Sequence, residues 1–461
     1  MDEGGASEIA SVTQVKAETD AGSESAAAPD VDAGQLDLFG MPVGAPAFPP
    51  AFPPAAPPAS SPAAPQAAPS SNSSTTRPRQ ARTALIASLW EDEAEADEAD
   101  AESEAKAEPH TDDAPSSGAT PKKRRTRDVT AAEPSPDVLE ISAALPPQIH
   151  LGTSTWSFPG WKGIVYGDDY SNSKLSRDGL TAYGQHPLLR TVSIDRSFYA
   201  PLTVTDYLRY AQQVPAHFRF IVKAPALVTD ATVRAERGEP VSLNPCFLNA
   251  QLAIDEFVRP CLDGLGAKAG ALVFQFSPLP DQMLADPAGF IERLAGFLSA
   301  LPVPPEGTRY AVEIRDACLL TPRFIRTLKA TGVRYCVGIH ARMPDPLRQA
   351  AALALLDGEP TGPLIVRWSL HGGFKYEQAK AKYEPFDRLV DEDPATRTAL
   401  AELAARYAIA GQPVLIAVNN KAEGSAPLTC VKLGRAIVEA YSRLLDEAAS
   451  REPTPAALQS I

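Results

Sequence analysis

"RYAVEIR" (309–315), "VRYCVGI" (333–339), "PLIVRWS" (363–369) and "PVLIAVN" (413–419) are short apolar runs, each about the length of one β-strand. Several carry almost no polar residue, which is the pattern of parallel strands buried on both faces. Working upstream, the same texture recurs in "IHLGTS" (149–154), "RTVSID" (190–195), "FRFIVKA" (218–224) and "GALVFQF" (270–276), making eight runs. Helix-length amphipathic segments lie between them or follow them, for example 286–300, 395–410 and 428–447. Eight strands alternating with helices over about 300 residues predict an α/β fold, a (β/α)₈ TIM-type barrel from 148 to 445. An open doubly wound sheet is the alternative, but no Gly-rich phosphate fingerprint follows the first strand.

Upstream of 148 the composition changes. Residues 1–147 are rich in Ala, Pro, Ser, Asp and Glu, with eleven prolines between Pro42 and Pro69. Such a segment buries too little apolar surface to offset the entropy of ordering it, so a long disordered N-terminal tail is expected, and a short one at 446–461. The formal net charge of −14 belongs to this tail: residues 1–147 hold 25 acids against 10 bases, and the remainder 32 against 33. The folded part is therefore balanced, and nucleic acid or a phosphorylated substrate is not excluded as its ligand. A basic cluster, "KKRRTR" (122–127), interrupts the acidic tail and could touch phosphates or act as a linker. The N-terminus lacks the basic and apolar regions of a signal peptide, and no apolar run reaches the roughly 18 residues that span a bilayer. A cytoplasmic protein without membrane contact is expected. The five cysteines (246, 261, 318, 336 and 430) lack metal-type spacing and read as reduced structural thiols.

Barrel enzymes carry their chemistry at the carboxyl ends of the strands. Those positions hold Thr153, Ser154, Asp195, Arg196, Lys223, Gln275, Glu313, Arg315, Asp316, His340, Arg367, His371, Asn419 and Asn420. Arginines, a lysine and paired asparagines suit an anion, so Lys223, Gln275, Arg315, Arg367, Asn419 and Asn420 are the candidate substrate-binding residues. Glu313 and Arg315 are two apart in a strand and share a face. They read either as an acid/base carboxylate beside an anion-clamping guanidinium or as a structural ion pair. His371, in "SLHGG" (369–373), is the first candidate for proton transfer, with Glu313 and Asp195 as the other candidate catalytic groups. Asp195, Glu313 and His371 could share a metal, but no dense His/Asp/Glu cluster occurs. No metal ligand is assigned, and no motif specifies a cofactor.

Six ordered motifs resemble one family. "GTSTWSFPGW" (152–161), "VSIDRSFY" (192–199), "LVFQFSP" (272–278), "AVEIRD" (311–316), the Arg367 to Gly373 segment and "VNNKAEGSAP" (418–427) are similar to the YecE-like domain-of-unknown-function family, number seventy-two in its series. The resemblance spans 148–445 and implies a TIM-type barrel without implying a reaction. Ser193 and Asp195 stand where many members carry Glu and Asn, and Asp316 where many carry His.

The tail holds one apolar pentapeptide, Gln35-Leu36-Asp37-Leu38-Phe39. It resembles the peptide by which bacterial DNA polymerases and mismatch-repair proteins dock onto the β sliding clamp. Leu36, Leu38 and Phe39 can fill an apolar groove while Gln35 hydrogen-bonds at its edge. Three readings follow: a clamp-recruited enzyme acting on DNA or a nucleotide, such as a phosphodiester hydrolase; an enzyme for a small phosphorylated or carboxylated metabolite; and a non-catalytic module holding an anionic ligand.

Overall fold

A computed structural model of the chain describes residues 128–234, 240–358, 360–371 and 376–451. Eight parallel strands form a closed barrel: β1 (Ile149–Thr153), β2 (Leu189–Ile194), β3 (Arg219–Lys223), β6 (Ala269–Gln275), β7 (Arg309–Glu313), β8 (Arg334–Ile339), β9 (Leu364–Trp368) and β10 (Val414–Val418). The expected barrel is the one that forms, and each apolar run supplies one strand. The ring closes where β10 pairs with β1, from Ile149 opposite Val414 to Thr153 opposite Val418. A short antiparallel hairpin, β4 (Thr232–Arg234) and β5 (Pro240–Leu243), is inserted after β3.

The near-continuous apolarity of the runs has a structural cause: the strands feed two separate cores. Val312, Val337, Val366 and Ile416 pack outward beneath the helices. The alternate residues Ile221, Val273, Ala311, Cys336, Ile365 and Leu415 fill the lumen. Both faces are dry, so neither can be polar. At Gly152 the backbones of β1 and β2 crowd together; a Cβ there would lie 1.8 Å from the Thr191 carbonyl oxygen.

Four of the outer helices begin with the same two-residue signal, a capping side chain followed by proline. Asp286, Thr321, Asp345 and Asp393 each accept a hydrogen bond from a first-turn N–H of the helices Pro287–Ser299, Pro322–Ala330, Pro346–Asp357 and Pro394–Ile409. The cap satisfies an otherwise orphaned donor, and proline at the first position has no donor to lose. These helices then bury apolar faces such as Phe290, Ile291, Leu294, Phe297 and Leu298.

The final helix runs Ala426–Arg451, through the expected boundary at 445. A further helix, Pro136–Ala144, lies in the segment whose composition suggested a tail. Its Ile141 packs against Gly434 of the final helix, and its Ser142 hydroxyl donates to the Pro187 carbonyl at 2.8 Å, just before β2. No helix among the described residues is long and apolar enough to cross a membrane.

Candidate functional site

Above the apolar lumen, the next inward position on five of the strands is polar. Two residues beyond Ile221, Val273, Ala311, Ile365 and Ala417 stand Lys223, Gln275, Glu313, Arg367 and Asn419. Side chains two apart in a strand point the same way, so the strand period carries these groups to the carboxyl-terminal mouth. On β7 the alternation continues one step further, to Arg315.

Four of the expected residues are joined directly. The Arg367 guanidinium donates to Glu313 Oε2 at 2.8 Å and to Asp195 Oδ2 at 2.7 Å. Arg315 donates to the other Glu313 oxygen. The Ser193 hydroxyl donates to the second Asp195 oxygen at 2.6 Å. Glu313 is fully buried, and Arg315 and Arg367 nearly so. Burial alone would push the Glu313 carboxyl up, but the Arg315 and Arg367 guanidiniums outweigh it and bring it down to about 2. Burial likewise works against the charge of Arg367, yet Asp195 and Glu313 raise its pKa above the ordinary arginine value. Gly338 on β8 makes room for the pair: a Cβ there would stand 3.1 Å from Glu313 Oε1 and 3.2 Å from Arg315 Nη1.

Three buried polar groups at this end are left short of partners. Arg315 spends one nitrogen on Glu313 and makes no other hydrogen bond among the described residues. The Gln275 amide, opposite Glu313 in the β6–β7 register, makes none. The Ser277 hydroxyl, two residues beyond Gln275, is buried and unpartnered. Lys223 is buried on β3, its ammonium 3.4 Å from the centre of the Phe198 ring, a cation–π contact.

Asn419, Asn420 and His371 gather at the segment after β10, whereas Asp316 lies on the β6–β8 side. The Asn419 amide donates to the Ser154 hydroxyl at 2.9 Å, and its oxygen accepts from the Lys421 N–H. Asn420 is turned into the loop, where its oxygen accepts from the Trp161 indole and the Ala426 N–H. His371 is half-buried, its N–H on the Lys421 carbonyl at 3.0 Å and its side chain close enough to Asp391 to bear on that carboxyl electrostatically. Asp316 caps Leu279 N at 2.8 Å and pairs with Arg342 at 3.1 Å. No group of three or more His, Cys, Asp or Glu placed to hold a metal occurs among the described residues. Gly338, Ser277 and Phe198 were not singled out by sequence reasoning. The advance signals were a glycine inside the apolar run "CVGI", which marks a close approach, and the motifs 272–278 and 192–199, which contain Ser277 and Phe198.

A closed ring of eight parallel strands, wrapped by helices and charged at its carboxyl-terminal mouth, defines the (β/α)₈ barrel class. Within that class the chain belongs to the DUF72 family, described as a protein of unknown function, whose family model matches residues 150–456. A DUF72 family protein from Thermotoga maritima is similar at 17% identity, over 65% of this chain and 99% of that one, with a TM-score of 0.41. A DUF72 family protein from Enterococcus faecalis is similar at 14% identity, over 64% and 95%, with a TM-score of 0.40. A methyltransferase from Methanosarcina mazei is similar at 11% identity, over 67% and 97%, with a TM-score of 0.36. No curated protein matches the chain. The pentapeptide residues Gln35, Leu36, Leu38 and Phe39, and the basic cluster 122–127, lie outside the described residues.

Proposed function

We propose that the barrel mouth binds a phosphate-bearing substrate, with Arg315 as the principal anion contact and Lys223, Gln275, Arg367 and Asn419 around it. The observation that carries this reading is the deficit of partners at the mouth. A buried guanidinium with a single acceptor, and an amide and a hydroxyl with none, are short of partners among the described residues, and a phosphate offers several oxygens to all three. Asp195 and Glu313 hold the two guanidiniums in place. A carboxylate held near a pKa of about 2 is a weak base at neutral pH, so proton transfer in a hydrolytic reaction falls to His371. In the wider form of the proposal the substrate is DNA-linked and Gln35, Leu36, Leu38 and Phe39 deliver the barrel to a sliding clamp. That part is supported by the peptide's residue pattern.

The test is calorimetric titration of the full chain with inorganic phosphate and with a mononucleotide. Arg315→Ala should weaken binding by roughly tenfold or more; because Glu313 also loses a buried counter-charge, the melting temperature should fall, and affinity is read on the protein that remains folded. Unaltered affinity in a folded Arg315→Ala variant would remove Arg315 from the site and the reading with it.

A further inference from the structure

A second cationic feature lies outside the mouth. A cavity of about 250 Å³ is lined by Ser173, Ser176, Arg177, Arg196, Arg209 and Tyr210. Three elements build it. Ser173, Ser176 and Arg177 stand at positions i, i+3 and i+4 of the helix Asn172–Asp178, and so share one face. Arg209 and Tyr210 come from the helix Val204–Gln213. Arg196 opens the short helix after β2, immediately beyond Asp195, whose carboxylate belongs to the mouth network.

The local charges do not cancel. Asp178 is paired with Lys174 at 2.8 Å. Asp206, the carboxylate that bears electrostatically on Arg196 and Arg209, is engaged by Thr203, which it meets through N–H and hydroxyl at 3.0 and 2.6 Å to cap its helix. Arg177 and Arg209 make no salt bridge or side-chain hydrogen bond among the described residues. Arg177 and Arg209 thus bring two guanidiniums without a salt bridge among the described residues to the hollow, and Asp206, which bears on Arg209, is the nearby carboxylate. Tyr210 is held edge-on by Trp156, with ring centroids 5.1 Å apart, so one wall is rigid. Like charges converging on a hollow repel one another unless something anionic fills it. Guanidinium forks with flanking hydroxyls match the oxygens of a phosphate.

We propose that this cavity is a second anion site, which takes the phosphate group of a phosphate ester. Its volume, at the small end of ligand clefts, suits one phosphate and a modest attached group. The phosphate belongs either to a small ester or to a nucleic-acid backbone. The site shares no side chain with the mouth and does not depend on the reading given to it.

The experiment measures binding of three probes to the full chain at low salt: inorganic phosphate, a mononucleotide and a short single-stranded DNA. It compares wild type with Arg177→Ala/Arg209→Ala and, keeping side-chain length, with Arg177→Gln/Arg209→Gln. Both arginines are exposed, so both variants should fold and melt as wild type does. The proposal expects at least one probe to lose about tenfold in affinity in both variants, and in neither case through Arg315. Loss for phosphate and mononucleotide identifies a small ester. Loss confined to DNA, with a shallower salt dependence by about two charges, identifies a backbone phosphate. Wild-type affinity of both folded variants for all three probes would overturn the site. Arg315→Ala reports on the mouth alone, so the two readings fail separately.

Discussion

Arg367 and Arg315 occupy the same mouth under different constraints. Arg367 bridges carboxylates from two strands, whereas Arg315 touches only the Glu313 that both share. Removing Arg367 would take the ion-pair partner from Asp195 and one of two from Glu313, whereas removing Arg315 leaves Glu313 paired with Arg367, which is why Arg315 is the better functional probe. Glu313 adds a pH signature. Its folded pKa, about 2, lies below its ordinary 4.5, so its ionised form stabilises the native state above the ordinary value. That contribution is lost as pH falls from 4.5 toward 2, and it amounts to about 3 kcal/mol. Denaturant unfolding of wild type and Glu313→Gln should therefore show a stability gap that narrows between about pH 5 and pH 3. A gap constant over that range would mean that folding does not lower the Glu313 pKa.

At the scale of elements, β7 and β8 diverge where the site begins. Their pairing is confined to Ala311 with Arg334 and Val312 with Tyr335, below Glu313. The Glu313–Arg315 pair occupies the opened seam, and Gly338 borders it without a side chain. Gly338→Ala forces the pair to yield by a few tenths of an ångström, and Gly338→Val places two methyl groups where the ions sit. The valine variant should lose about 1–3 kcal/mol of stability and most of its phosphate affinity, with alanine intermediate. Equal phosphate affinity in all three proteins, measured by calorimetry, would show that the seam does not position Arg315.

For the molecule as a whole, the charge asymmetry matters: the acidity resides in residues 1–147, and the remaining chain is nearly neutral. Recognition of an anion must therefore come from placed groups, not from a general basic field. The proposed recruitment by residues 35–39 is separable from the barrel. A peptide covering 30–45 should bind a bacterial sliding clamp in the micromolar range, about 8 kcal/mol, which is what a few buried anchors leave after ordering costs. Leu38→Ala/Phe39→Ala removes anchors worth roughly 1.5–3 kcal/mol each and should abolish detectable binding, while Asp37→Ala should change little. Fluorescence anisotropy of labelled peptides distinguishes these outcomes, and equal binding by all three would reduce the pentapeptide to an accident of composition.

Local pattern alone was enough for the barrel. Eight runs apolar on both faces, and Asp-Pro or Thr-Pro starts such as Asp393-Pro394, are readable within a dozen residues because strand period, capping and proline geometry are local properties. Ring closure adds the polar layer, since the residue two beyond each lumen position must reach the mouth. The helix Pro136–Ala144 escaped this reading because its few apolar residues count only once the final helix is there to cover them. Which charges meet was likewise decided by tertiary structure. Asp195 and Arg367 are 172 positions apart, and Glu313 and Arg367 are 54 apart. No local periodicity couples such residues. Barrel curvature brings β2, β7 and β9 within reach of one guanidinium, sets Gly338 beside Glu313, and turns Arg196 away from its neighbour Asp195 toward the cavity between two helices.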